Sequence, residues 1–244
     1  MDDEPCTMRC AEHGERQATF VCRHIVEGAG RGFNFAVSDD DDQVAWPDAW
    51  CDECNEVYEA EDGWSEENEA VLAVTAICDF CYMRARERNF HHDREAYLEL
   101  VEHSVEYLKK RQAALRETYS MGDLDHFSWD QTSGQLVLSL AGERAVVAEI
   151  VFVGSISSRS GTWLWSWANP SYLEAVKAPM RELRERGLEL DLLPLAGACW
   201  QGDETDGWEM TSIAAFVLGA VGAYRSPGDD GFSFMIMTSV GWAQ

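Results

Sequence analysis

Eight cysteine and histidine residues between Cys10 and Cys81 fall into four short pairs: Cys10-x2-His13, Cys22-x-His24, Cys51-x2-Cys54 and Cys78-x2-Cys81. A pair separated by one or two residues lets the backbone turn both donor atoms toward one ion. Four pairs fill two tetrahedral sites and leave no position for water, which is the chemistry of structural rather than catalytic zinc. The first third of the chain is therefore expected to fold around two zinc ions held by Cys10, His13, Cys22, His24, Cys51, Cys54, Cys78 and Cys81. Cys6 is a minor candidate, because Cys10-x2-His13 followed by Gly14 makes the tighter knuckle. The expected pairing is sequential, with Cys10, His13, Cys22 and His24 on one ion and Cys51, Cys54, Cys78 and Cys81 on the other. The alternative is a cross-brace that joins the first pair to the third and the second to the fourth.

Seven of the eight cysteines lie in the first 81 residues. The acidic start, Met1 to Glu4, has no apolar run behind it and shows no export signal. Metal-like spacings with interleaved histidines then favour zinc in a reducing cytoplasm over disulfides. The formal charge is −25 and is uneven: residues 1–69 hold 20 Asp or Glu against four Arg, a local charge of −16. Such a surface repels nucleic-acid phosphates and anionic lipid heads, and it suits a basic protein partner. The longest apolar run, Ile213 to Val221, is too short to cross a membrane.

Local patterns place these pairs. Thr19 to Ile25 is β-branched and aromatic, so it reads as a strand with Cys22 and His24 on one face. Phe33 to Val37 reads as a short strand, and Asp39 to Asp42 as a solvated loop lacking the ligand spacing of a calcium site. Trp46 and Trp50 are expected to cover the second knuckle. Glu66 to Ile77 and Tyr82 to Phe90 have helical composition, so that a cysteine pair opens a helix as in treble-clef-like sites.

From Asp93 to Tyr119 apolar residues recur at helical spacing. Strands follow at 127–131, 135–140, 145–155 and 161–168, separated by short turns that imply an antiparallel meander. In the last of these, Trp163, Trp165 and Trp167 face one way and read as core, because a meander with two helices needs large residues on its covered face; a ligand surface is the alternative. Ser171 with Glu174 forms a capping box for a helix running to Arg186, kinked at Pro179 and stopped by Gly187. Leu188 to Trp200 reads as irregular, 205–219 as a buried helix and 232–240 as a closing strand. The expected class is α+β: a small zinc-stabilised domain over residues 1–90, then an antiparallel sheet covered by helices over 91–244.

The order of the four pairs resembles RING-type cross-brace fingers, but the long gap between His24 and Cys51 departs from that family and speaks against ubiquitin-ligase activity. Val153-Gly-Ser-Ile-Ser157, Thr162-Trp-Leu-Trp-Ser-Trp-Ala-Asn-Pro170 and Tyr224-Arg-Ser-Pro227 resemble a bacterial domain family of unknown function marked by a Trp-x-Trp-x-Trp-Ala-Asn segment. That resemblance spans roughly residues 90–244 and implies a fold type without an activity. Cys-x2-His-Gly and Val-Cys-x-His, as they stand at Cys10–Gly14 and Val21–His24, also resemble a zinc module of bacterial uncharacterised proteins.

No phosphate loop, dinucleotide fingerprint or serine elbow is present. Cys199 reads as a buried structural thiol, His91 and His92 as solvent-facing, and Asp203, Glu204 and Asp206 as acids at a helix N-terminus. The reading that follows is a non-enzymatic cytoplasmic zinc-binding interaction protein, adaptor or immunity-like, with a basic protein partner and no nucleic-acid or membrane target. The alternative is an enzyme or small-ligand binder that uses a cleft at Trp163, Trp165, Trp167 and Asn169.

Overall fold

The hairpin that opens the chain follows from its turn. Gly14 adopts φ 76°, a left-handed conformation that glycine takes without strain. It folds β1 (Thr7–Cys10) onto β2 (Gly14–Cys22) with Cys10 opposite Gly14. The computed structural model describes residues 6–35, 46–65, 72–90, 94–119, 124–140, 144–190, 192–201 and 206–243. The chain divides into two compact units, Met1–His92 and Asp93–Gln244.

In the first unit β2 is the organising strand. Beyond the hairpin it pairs antiparallel with β5 (Val74–Cys78), placing Ala18 opposite Cys78 and Cys22 opposite Val74. Its end makes a parallel bridge from Val21 to Ala49 of β4 (Ala49–Trp50), which pairs with β3 (Asn34–Phe35). Three helices follow strand ends: α1 (Arg23–Glu27), α2 (Asp52–Ala60) and α3 (Asp79–Asn89). Val21, Ile25, Phe33, Trp46, Tyr82 and Met83 are buried between them. Tyr82 meets the Phe33 and Trp46 rings edge-on.

Two sequence expectations fail here. His24 lies in the first turn of α1 rather than on a strand. Val74–Cys78 is a strand rather than the end of a helix; Val74, Thr75 and Ile77 are β-branched, and the ladder with β2 buries Ile77 and Cys78. The acidic run Asp39–Asp42 and the segment 66–71 lie outside the described residues.

In the second unit the spine is β8 (Val146–Ser157). One edge pairs along its length with β12 (Gly231–Trp242), which pairs with β11 (Gly222–Gly228). The other edge is shared end to end. β7 (Gln135–Leu140) takes the first half and passes to β6 (Leu124–Asp130); β9 (Thr162–Trp165) takes the second and passes to β10 (Cys199–Gln201). All these pairings are antiparallel. The helices are α4 (Arg94–Tyr119), α5 (Glu174–Lys177), α6 (Pro179–Glu189), α7 (Leu193–Ala196) and α8 (Gly207–Val217). The α8 helix packs on β8 and β12, and α4 packs on α8. Helices and antiparallel sheets are segregated, which makes the fold α+β as the sequence implied.

The segment after β9 differs from its sequence reading. Strand geometry ends at Trp165, and Ser166–Ala168 form a 3-10 turn. Ser171 caps no helix; its N–H and hydroxyl both donate to Asn169 Oδ1, at 2.9 and 2.6 Å. Pro179 does not kink one helix but begins a second, at a position where its missing N–H goes unneeded. That helix runs past Gly187 to Glu189, and α7 and β10 occupy the stretch expected to be irregular. Among the described residues no helix is long and apolar enough to cross a membrane.

Candidate metal centres

The four pairs assemble into two clusters, in a nested pairing that neither sequential nor cross-brace use anticipates. Cys10, His13, Cys78 and Cys81 form one cluster; Cys22, His24, Cys51 and Cys54 form the other, with the donor atoms of each within 4.8 Å of one another. The cause is the ladder between β2 and β5. It returns the fourth pair to the base of the first hairpin, while the β2–β4 bridge holds the second and third pairs together.

The two centres are built alike. In each, a cysteine is the N-cap of a helix and a second cysteine follows in its first turn: Cys51 and Cys54 on α2, Cys78 and Cys81 on α3. Both helices begin Cys-Asp-x-Cys. A helix N-terminus favours negative charge, so these are good positions for thiolates. Backbone N–H groups also reach sulfur, from Cys81 to Cys78 Sγ at 3.5 Å and from Cys51 to Cys22 Sγ at 3.3 Å.

The spacings fit a tetrahedral ion. Bonds of about 2.3 Å to sulfur and about 2.0 Å to nitrogen demand S···N separations near ~3.5 Å and S···S separations near ~3.8 Å. In the first centre His13 Nδ1 lies 3.5, 3.4 and 3.6 Å from the sulfurs of Cys10, Cys78 and Cys81, and Cys10 and Cys81 are 3.9 Å apart. In the second, His24 Nδ1 is 3.6 Å from Cys51 Sγ and 3.3 Å from Cys54 Sγ. Each cluster therefore offers three sulfurs and one imidazole nitrogen around one point. Four protein donors per cluster match the number that a tetrahedral ion takes.

The thiols are electrostatically unlike. Backbone N–H groups of Glu12 and His13 lower Cys10 to about 6. Burial, then the neighbouring Cys78, pushes Cys81 up to about 12. Burial and the adjacent Cys51 raise Cys54, and burial raises Cys22. Crowded sulfurs resist sharing negative charge without a cation among them.

Around the first centre lies a shell that the sequence reading missed. Arg16 on β2 forks onto Asp79, its Nε at 2.9 Å from Oδ1 and its Nη2 at 2.5 Å from Oδ2. Its guanidinium also sits 4.4 Å from the Phe80 ring centre, and Phe80 stacks on His13 at 5.2 Å. The available signal was the repeated Cys-Asp-x-Cys, in which the aspartate stands next to a ligand.

The tryptophan segment presents no surface. Trp163 and Trp165 are 0% exposed and Trp167 is 4% exposed. Trp163 meets Trp165 and Phe234 edge-on, and Arg184 covers the Trp167 ring. Asn169 is used by its own turn and by Ser155, to whose Oγ it donates at 3.3 Å. Trp163, Trp165 and Trp167 are thus core, as a sheet covered by helices needs bulk on its inner side, and not the alternative ligand face. Cys199 is buried, Asp206 caps α8 in a box with Glu209, and His91, His92, Asp203 and Glu204 lie outside the described residues.

A chain with a Cys/His-clustered first unit and an antiparallel sheet under helices in its second is an α+β protein with two candidate metal centres. Residues 98–240 match the model of DUF6882, a family of unknown function, over more than half of the sequence, and the chain belongs to that family. The match leaves both Cys/His clusters outside its span. Searches of curated proteins and of solved structures return no match.

Proposed function

We propose that residues 10–81 hold two structural zinc ions, and that the protein is a non-enzymatic interaction protein of a reducing compartment, the cytoplasm. The observation that carries the metal reading is the pair of closed four-donor clusters. Three sulfurs and one imidazole at tetrahedral spacing suit zinc over harder cations, which prefer oxygen. A filled first shell leaves no site at which the ion can activate water, so the metal serves the fold. All eight cysteines are free thiols, as metal ligation in a reducing compartment requires.

The partner reading rests on charge. A chain of −25, with −16 in its first 69 residues, favours a basic protein through fast, electrostatically steered association. An adaptor or immunity-like role fits such a surface. Burial of Trp163, Trp165 and Trp167 supports this reading, because it removes the ring faces that a small-ligand or enzymatic site there would need. Affinity purification from the native host at low and then high salt tests it. A basic protein that is retained at low salt and lost at high salt is expected. Co-purification of a metabolite, with no protein retained, would overturn it.

A further inference from the structure

We propose that Arg16 is the positioning residue of the first metal centre, locking together the two chain segments that supply its ligands. The inference rests on the reading that this centre holds zinc. Cys10 and His13 come from the β1–β2 hairpin, whereas Cys78 and Cys81 come from the start of α3. Arg16 stands on the hairpin, opposite Met8, and its fork engages Asp79, the residue directly after Cys78. The pair is partly shielded, with the Asp79 side chain 11% and the Arg16 side chain 31% exposed. A bidentate fork fixes direction as well as distance.

The same guanidinium reaches the ligand histidine through a ring. It lies 4.4 Å from the Phe80 centroid, and Phe80 lies 5.2 Å from the His13 ring at an interplanar angle of 24°. Arg16 therefore bears on both halves of the centre, on Cys78 through Asp79 and on His13 through Phe80. Outer-shell partners of this kind set ligand orientation and so the affinity for the ion.

The second centre is assembled differently. Among the described residues, the aspartate in the matching position, Asp52, accepts from the neutral Asn34 amide at 2.9 Å, in an exposed contact. Its segments are joined by bonds from backbone N–H groups, Asp52 N–H to Arg31 O at 2.9 Å and Cys51 N–H to Cys22 Sγ at 3.3 Å, with an exposed Arg31–Glu53 ion pair at 3.7 Å beside them. Loss of Arg16 should therefore weaken one centre and spare the other.

The test uses the full chain, loaded with zinc or cobalt, as wild type, Arg16→Ala, Arg16→Lys and Phe80→Leu. Metal competition by a chromophoric chelator gives two affinities, and alkylation followed by peptide mapping shows which cysteines lose protection. Arg16→Ala should weaken one equivalent by about 10- to 100-fold and expose Cys10, Cys78 and Cys81 while Cys22, Cys51 and Cys54 stay protected. Arg16→Lys, which keeps the charge without the fork, should recover part of the loss, and Phe80→Leu should fall between. The cobalt spectrum should change only in the component assigned to the first centre. Two unchanged affinities in both Arg16→Ala and Phe80→Leu, or equal weakening of both centres, would overturn the role of Arg16 and leave the zinc reading standing. A wild-type chain that binds no ion would overturn the zinc reading itself.

Discussion

At the scale of residues, polar satisfaction separates positions that look equivalent in sequence. Trp163 and Trp165 are both fully buried, but Trp165 Nε1 donates to Pro194 O at 3.0 Å, whereas Trp163 Nε1 has no hydrogen-bond partner among the described residues. Either change to alanine should cost about 3–5 kcal/mol. Trp165→Phe should cost about 1 kcal/mol more than Trp163→Phe, because it also strands a buried carbonyl; urea unfolding of the two variants measures the difference. Asn89 plays a similar part in the first unit. It is 0% exposed; its amide donates to Ile25 O and Ala85 O, and its Oδ1 accepts from Arg31 N–H. Asn89→Ala should destabilise that unit by about 2–3 kcal/mol, read as an earlier denaturant midpoint for the metal-loaded protein.

At the scale of elements, β8 and its turns are the test. Gly154 lies where β8 carries a bulge against β12, and a Cβ there would sit 2.5 Å from Trp163 Cζ2 and 2.6 Å from Leu164 O. Gly154→Ala should cost about 1–3 kcal/mol by overpacking, with the larger effect if the backbone contact cannot relax; thermal unfolding checks it. The β6–β7 turn is held by Asp130, whose carboxylate accepts from the Thr132 and Ser133 N–H groups and is thereby kept below its usual range. A depressed carboxylate contributes fully above its unfolded value of about 3.9 and loses that contribution as pH falls through the folded value. Amide exchange at Thr132 and Ser133 should therefore be faster in Asp130→Ala than in wild type at pH 7, with the gap closing below about pH 4.

The elements also show what the sequence made legible. The ligand pairs are local, so spacing alone identifies them, and the meander is legible because its turns are short. The nested pairing is not local. It depends on Val74–Cys78 forming a strand on β2, and the acidic stretch before it gives that segment a helical look. Trp163, Trp165 and Trp167 advertise a stripe whether they face ligand or helix; only the packing of the second unit decides. Arg16 carries no signal at all until Asp79 is brought to it across the fold.

At the scale of the whole molecule, the described residues of the first unit form a thin sheet with three helices, in which both clusters join segments far apart in sequence. Closing such loops by metal ligation makes binding energy largely folding energy. Chelation should therefore unfold the first unit while leaving the second, with its own buried core, folded. Far-UV circular dichroism should then fall only in part, and Trp163 and Trp165 should remain shielded from quenchers. The most direct measurement is native mass spectrometry of the full chain purified in reducing buffer without added metal, paired with alkylation of the same sample. Two zinc ions per chain, with Cys10, Cys22, Cys51, Cys54, Cys78 and Cys81 all protected until a chelator is added, is the expected result. No ion or a single ion, or six ligand cysteines that alkylate freely while the first unit stays folded, would contradict it.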